Sequence, residues 1–346
     1  MERVAVAVVG ASGYTGVELL RLLSVHPGVT LTHLSAHKNA GLRADALFPS
    51  LLGRVSLTCQ SFDADQVAAA ARVAFLALPH GESVPVARAL LERGLTVLDL
   101  SADFRLRSAD DYSKWYGPHA APELLEGAVY GMPELWRERL RGARLVAVPG
   151  CYPTATILAL APLLAARLIE PAGLIVDAKS GASGAGRTPS LGTHFSEIGE
   201  GVRAYKVAEH RHTPEIEQEL ARAAGAPVVL TFTPHLLPMS RGILSTCYAT
   251  PTDGERPRAA YLEALRARYD GEAFVHVVEH PPDTAHLRGG NAVHVGAWVD
   301  ARARKVVVMG AIDNLVKGAA GQAVQAMNAV LGLPEPTGLG GAGVFP

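Results

Sequence analysis

The sequence predicts an α/β protein, a doubly wound parallel sheet domain joined to an α+β second domain. Three observations carry this. Short apolar runs alternate with helix-like stretches over about the first 150 residues, closely spaced strand-like runs follow Cys151, and an amphipathic helix comes last. Val4–Val9, Val29–Leu34, Val73–Leu78, Thr96–Leu100 and Leu145–Val148 have the length and β-branched content of strands buried on both faces. Helical segments around Gly16–Leu23 and Glu82–Arg93 separate them, and strands joined through helices are parallel. A helix over about Thr154–Leu168 opens the second domain. Runs at Leu174–Ala178, Val228–Thr233, Ile243–Thr250, Phe274–Val278, Ala292–Val299 and Val306–Met309 supply its strands. In the last helix, Leu315 to about Leu331, Val316, Ala319, Ala320, Ala323, Val324 and Met327 share a face expected to pack back onto the first domain. The expected domains are therefore residues 1–149 with about 313–346, and residues 150–312.

Composition narrows the function. The 346 residues hold 32 Lys and Arg against 33 Asp and Glu, so no excess of either sign favours nucleic acid or anionic lipid, and a small-molecule partner is expected. Three cysteines, Cys59, Cys151 and Cys247, without a C-x-x-C spacing, argue against a disulfide framework and a cysteine zinc site; no metal and a reducing cytoplasm are expected. The apolar run at Val4–Val9 is too short for a signal core or a membrane span, so no membrane association is expected.

The first motif, Gly10-Ala11-Ser12-Gly13-Tyr14-Thr15-Gly16, follows a strand and opens a helix. Glycines let backbone approach a pyrophosphate, and a helix start supplies N–H groups, so the context is a Rossmann-like dinucleotide turn. Its G-x-x-G-x-x-G spacing departs from G-x-G-x-x-G, and an ordinary tight turn is the other reading. The second strand ends in Ser35 and Lys38 rather than an acid, offering a hydroxyl and a cation to a 2′-phosphate; this favours NADP(H) over NAD.

Cys151 sits at a Pro-Gly break where a strand gives way to an alanine- and leucine-rich helix, whose N–H groups stabilise a thiolate. It is the candidate nucleophile, whereas Cys59 and Cys247 read as core residues. In His210-Arg211-His212-Thr213-Pro214-Glu215, Thr213 is the expected N-cap and Pro214 the first helical residue. If the stretch before it is extended, His210 and His212 share a face and either can exchange protons; structural histidines are the alternative. Ser180-Gly181-Ala182-Ser183-Gly184-Ala185-Gly186-Arg187 offers a nest of N–H groups with an arginine ready for a phosphate, and Arg105 and Arg241 are further cations for a phosphate or carboxylate.

Several of these motifs, in order, carry a resemblance. Val146–Pro162 around Pro149-Gly150-Cys151-Tyr152-Pro153-Thr154 resembles the active-site signature of the N-acetyl-γ-glutamyl-phosphate reductases, NADP-dependent enzymes of arginine biosynthesis. Likeness extends to residues 10–16, 77–81, 99–105, 210–215 and 313–322. The resemblance implies a nucleophile at Cys151, a base at His210, and assisting roles for His212 and Glu215. It implies cofactor contacts that include Leu78, Pro79, Ser180, Gly181 and Asn314, substrate contacts at Arg105, Ser183, Gly184 and Arg241, and a catalytic, dimerisation-type second domain in a homodimer or homotetramer. An acyl-phosphate substrate and inorganic phosphate follow as partners. A lysine-pathway relative typically has Asn-Ala where Tyr152-Pro153 stand, and aspartate-semialdehyde dehydrogenases surround the nucleophile with a different motif. A non-catalytic NADP-binding redox sensor is the alternative of another class.

Overall fold

The computed structural model describes residues 3–252, 254 and 256–345. They form two compact units, residues 3–150 with Ala319–Gly341, and Cys151–Gly318 with residues 342–345. The return to the first unit thus falls later than the expected residue 313, and the last residues belong to the second. The segment after Asp313 stays with the second unit because its backbone folds onto that residue: Leu315 and Val316 donate to the Asp313 carboxylate at 2.8 and 3.1 Å, and Gly318 N donates to the Asp313 carbonyl at 2.9 Å.

In the first unit β1 (Val4–Val9), α1 (Tyr14–Leu23), β2 (Val29–Ser35), α2 (Ala44–Leu47), α3 (Ala64–Ala70), β3 (Val73–Leu76), α4 (Ser83–Glu92), β4 (Thr96–Asp99), α5 (Ala109–Tyr116), β5 (Ala128–Tyr130), α6 (Pro133–Leu140) and β6 (Leu145–Ala147) follow in order. The sheet runs β2-β1-β3-β4-β6-β5, every pair parallel. The apolar runs become strands because both faces are covered: β1 from Val6 to Val9 and all of β3 are buried. Strand order reverses direction between β1 and β3, and the crevice beyond the carboxyl ends of such strands is where open α/β sheets bind ligands. β3 stops at Leu76, short of the expected Leu78, since the chain turns away at Ala77.

The second unit begins with α7 (Cys151–Ala165), then β7 (Ala172–Gly181), α8 (Phe195–Ile198), β8 (Arg203–Ala204), α9 (Thr213–Ala224), β9 (Val229–Leu237), β10 (Ile243–Ala249), α10 (Arg258–Tyr269), β11 (Val275–Val277), β12 (Val293–Asp300) and β13 (Lys305–Ile312). Its mixed sheet runs β11-β12-β13-β10-β7-β9-β8. Register shows two unlike faces. Val176, Cys247, Val308 and Ala297 pair in a row and are all buried, on the side where Gly310 lies so close to α7 that a Cβ would sit 2.4 Å from the Ala155 carbonyl. One residue along, Ile175, Tyr248, Val307 and Trp298 form a row on the opposite side, and all four remain at least partly exposed. α7 is apolar all round and buried from Tyr152 to Leu164, as a central helix must be.

The chain returns to the first unit through α11 (Gly321–Leu331), buried almost throughout. It is preceded by a single π turn over Val316–Ala320, so the expected continuous helix from Leu315 is two pieces. No helix among the described residues is long and apolar enough to cross a membrane.

Candidate active site

In the first unit the glycine turn occupies the switch point. Gly10 has φ +91°, and a Cβ there would lie 2.3 Å from the Ala77 carbonyl; at Gly16 it would lie 2.4 Å from the Gly10 carbonyl. Gly10 and Ala11 donate to Ser35 O at 2.9 and 3.0 Å, pinning the turn to the end of β2. Gly13 begins α1 with no side chain capping it, Ser12 and Thr15 are half-buried, and Tyr14 is exposed. Bare backbone over an open helix start fits a dinucleotide pyrophosphate. Lys38 is exposed in the turn after β2, as a contact to a 2′-phosphate requires. Ser35 differs from expectation: its hydroxyl is buried and lies 2.9 Å from His33 Nε2, turned into the protein rather than outward.

The loop after β3 holds Leu78, half-buried, and Pro79, exposed. It is anchored by Asp103, which sequence reasoning missed. That fully buried carboxylate accepts His80 Nδ1 at 2.7 Å, the Tyr112 hydroxyl at 2.9 Å and Gly81 N–H at 3.0 Å. Nearby Asp99, at the end of β4, accepts the Ser101 hydroxyl at 2.6 Å; burial pushes its carboxyl up to about 6. Arg105 is buried, with Nε donating to Val148 O and Nη2 to Leu100 O, both at 2.8 Å, so its guanidinium braces two loops.

The second unit gathers most of the other candidates. Cys151 is the first residue of α7 and is partly exposed. Its wall is Gly318 in the π turn, where a Cβ would come within 2.7 Å of Cys151 Cβ. Four residues earlier, Asn314 accepts Gly242 N–H through Oδ1 at 2.7 Å and donates from Nδ2 to the Ser183 hydroxyl at 2.9 Å. Gly184 lies against this pair, since a Cβ there would be 3.2 Å from Ser180 Oγ and 3.7 Å from Asn314 Nδ2. Arg241 Nη1 is 3.4 Å from Asp313 Oδ2. Of the nest expected over Ser180–Arg187, the N–H groups of Gly181, Ala182 and Ser183 are already engaged: they donate to the carbonyls of Gly242, Met239 and Ser240, because this stretch pairs with the loop before β10. What the loop presents instead is the Ser183 side chain.

Tyr152 turns its ring into an aromatic cluster, edge-on to His210 at 5.6 Å, His212 at 6.0 Å and Phe232 at 5.3 Å between centroids. Tyr205, unnoticed in the sequence, is delivered by β8 and donates its hydroxyl to that of Tyr152 at 3.1 Å. Burial pushes both phenols up, Tyr205 to about 12, and charge on Cys151 adds to each shift. The chain around His210 is a turn rather than extended: Thr213 N donates to His210 O at 2.9 Å, and His212, not Thr213, is the residue that precedes α9. The two imidazoles nevertheless meet, with centroids 4.8 Å apart. Burial, then the charges of Lys206 and Arg211, hold His210 down to about 4. Glu215 is buried in the first turn of α9.

Comparison with known proteins agrees with this arrangement. The family model described as semialdehyde dehydrogenase, NAD binding domain, matches residues 5–143, and that described as semialdehyde dehydrogenase, dimerisation domain, matches residues 151–314. Among solved structures, aspartate semialdehyde dehydrogenase II of Vibrio cholerae superposes with a TM-score of 0.73 at 18% identity, covering 96% of this chain and 99% of that one. The Candida albicans aspartate semialdehyde dehydrogenase solved with NADP gives 0.71 at 15% identity, over 95% and 98%. These likenesses establish the fold. Among curated proteins, the N-acetyl-gamma-glutamyl-phosphate reductase of Pelotomaculum thermopropionicum is 52% identical over 99% of both chains, and that of Citrifermentans bemidjiense 51% identical over 99% of this chain and all of the other. With half its residues shared along its whole length, this chain belongs to the N-acetyl-gamma-glutamyl-phosphate reductase family.

Proposed function

We propose that the chain reduces the γ-phosphate of N-acetyl-L-glutamate to the γ-semialdehyde, releasing inorganic phosphate and consuming NADPH, as a step of arginine biosynthesis. The observation that carries this reading is a partly exposed cysteine at the first turn of a buried helix, walled by Gly318 and bordered by Tyr152 and Tyr205, in a chain half identical to reductases of that name. A carboxylate is too poor an electrophile for hydride, so the acyl phosphate brings the activation and a thiolate at Cys151 takes the acyl group as a thioester. Residues Gly10, Ala11, Ser12, Gly13, Tyr14, Thr15 and Gly16 would hold the pyrophosphate of NADP(H), Lys38 its 2′-phosphate, and Leu78 and Pro79 lie on the adjoining loop. When bound, that cofactor supplies the hydride.

Ser183 and Arg241, beside Asn314, present a hydroxyl and a cation suited to substrate carboxylate or phosphate, with Ser180, Gly181 and Gly184 shaping the floor. His212 sets the start of α9 against the Tyr152 ring, and Glu215, buried in the first turn of that helix, is the assisting carboxylate. The sheet row of Ile175, Tyr248, Val307 and Trp298 supports a homodimer built on that face, with a tetramer as its further assembly. Three cysteines that form no disulfide support a cytoplasmic location. The test is Cys151→Ser, followed by the near-ultraviolet absorbance of reduced nicotinamide in a mixture of N-acetylglutamate semialdehyde, phosphate and NADP⁺. Turnover is expected to vanish while NADPH binding persists; turnover near the unsubstituted rate would refute the thioester. Aspartate semialdehyde in the same assay is expected to give no sustained signal.

A further inference from the structure

We infer that Asp313 is a positioning residue: its buried carboxylate aims the Arg241 guanidinium at an oxyanion of the substrate and fixes that cation relative to Cys151. The inference deepens the reductase reading above and rests on it. Asp313 directly follows β13 and is fully buried, so its carboxylate has to be met by protein donors. They converge on it from three segments. Oδ1 accepts the backbone N–H of Leu315 at 2.8 Å and of Val316 at 3.1 Å, while Oδ2 accepts that of Gly289 at 2.7 Å and Arg241 Nη1 at 3.4 Å. Backbone donors on both oxygens lock the plane of the carboxylate. Of the two partners in the ion pair, Arg241 is therefore the one whose orientation is set.

The surroundings tie this pair to the nucleophile. Through its backbone carbonyl Asp313 accepts Gly318 N–H at 2.9 Å, and Gly318 is the wall against Cys151. One residue thus holds the cation by its side chain and the wall of the thiol by its main chain. The next residue repeats the pattern: Asn314 accepts Gly242 N–H at 2.7 Å and donates to the Ser183 hydroxyl at 2.9 Å, so residues 241–242 are held side by side by residues 313–314. Gly242 has φ +114°, and a Cβ there would lie 2.7 Å from Thr284 Cβ. The main chain that carries Arg241 is accordingly clamped between Asn314 and Thr284 in a conformation suited to glycine.

Exposure gives the pair a direction. The Asp313 side chain is inaccessible and that of Arg241 is 27% exposed, so the guanidinium runs from the interior towards the surface of the site. A guanidinium is a planar fork of N–H donors, and anchoring Nη1 fixes the plane in which the others point. An arginine held in this way loses less rotamer freedom when an oxyanion arrives than a free one does, and the saving appears as affinity. The proposed reaction offers that fork two oxyanions of matching shape, the α-carboxylate of the acetylated glutamyl group and the phosphate.

Two measurements on the full-length protein test this. Nitrogen NMR of arginine-labelled protein reads the Arg241 guanidinium, its signal identified by its loss in Arg241→Lys. Hindered rotation with separate Nη signals is expected, and one averaged signal overturns the inference. Kinetics then compare Asp313→Asn, Arg241→Ala and the double variant, with the acetylated semialdehyde, phosphate and NADP⁺ varied in turn. Each single change is expected to raise KM for an oxyanion substrate about 10- to 100-fold and to leave KM for NADP⁺ within about twofold. A rise for the semialdehyde identifies the carboxylate as the group held, and a rise for phosphate identifies the phosphoryl group. The double variant is expected to lose little more than Arg241→Ala alone. Losses that multiply in the double variant overturn the positioning role, as does an unchanged KM for both oxyanions. If Asp313→Asn fails to fold, the NMR result and the KM values of Arg241→Ala decide. An unsubstituted enzyme inactive on the acetylated semialdehyde would refute the reductase reading, while the NMR result would still judge Asp313.

Discussion

At the level of single residues, the proposed nucleophile depends on an atom that is missing. Gly318 leaves space for Cys151 because any Cβ there would sit 2.7 Å from the cysteine's own Cβ. Gly318→Ala is therefore expected to push the thiol out of place and cut kcat by about 10², the scale of a misplaced reacting atom, with NADPH affinity unchanged. Stopped-flow turnover beside a fluorescence titration of NADPH checks it, and an active Ala variant would remove Gly318 from the site. Cys151, His210 and Asn314 stand out in the sequence because reactive residue types lie at marked breaks or within the resemblance. Gly318, Tyr205 and Asp103 do not. A glycine in a helix-like run signals nothing about which side chain it spares, and Tyr205 reaches the site only through pairing of β8 with β9. The bracing bonds of Arg105 were hidden as well, since one of its carbonyl partners lies 43 residues away.

At the level of elements, the strands buried on both faces were readable because no polar residue interrupts their apolar runs, as in β1 and β3. β5, α5 and α6 escaped because their local signal is weak; α6 even contains a non-helical Trp136. The same packing that makes β4 legible strands a carboxylate at its end. Asp99 is pushed from its ordinary 3.8 up to about 6, so the folded state binds that proton more tightly than the unfolded chain. The sign follows: this group weakens stability above about pH 6, and the penalty fades as pH falls towards its unfolded value. Asp99→Asn is expected to raise the thermal midpoint at neutral pH, with the gain shrinking towards pH 4. Midpoints of both proteins across that range test it, and a gap independent of pH would assign the effect to packing.

At the level of the whole molecule, the seven-stranded sheet has one face under helices and one carrying Ile175, Tyr248, Val307 and Trp298. In the homodimer proposed above, a glutamate at the centre of that row is buried against a second copy. Tyr248→Glu is accordingly expected to shift sedimentation from dimer to monomer while leaving the far-ultraviolet circular dichroism unchanged. An unaltered sedimentation coefficient would move the interface elsewhere. This face could not be read from periodicity, since it depends on strand pairings distant in the chain. The cysteines carry a practical consequence. Cys59 and Cys247 lie inside the two units, their thiols pushed up by burial, Cys247 to about 12, whereas Cys151 is partly exposed. An alkylating dye should thus tag one position on native protein and three after denaturation, turning the chain into a gauge of its own unfolding and giving oxidants a single point at which to silence it.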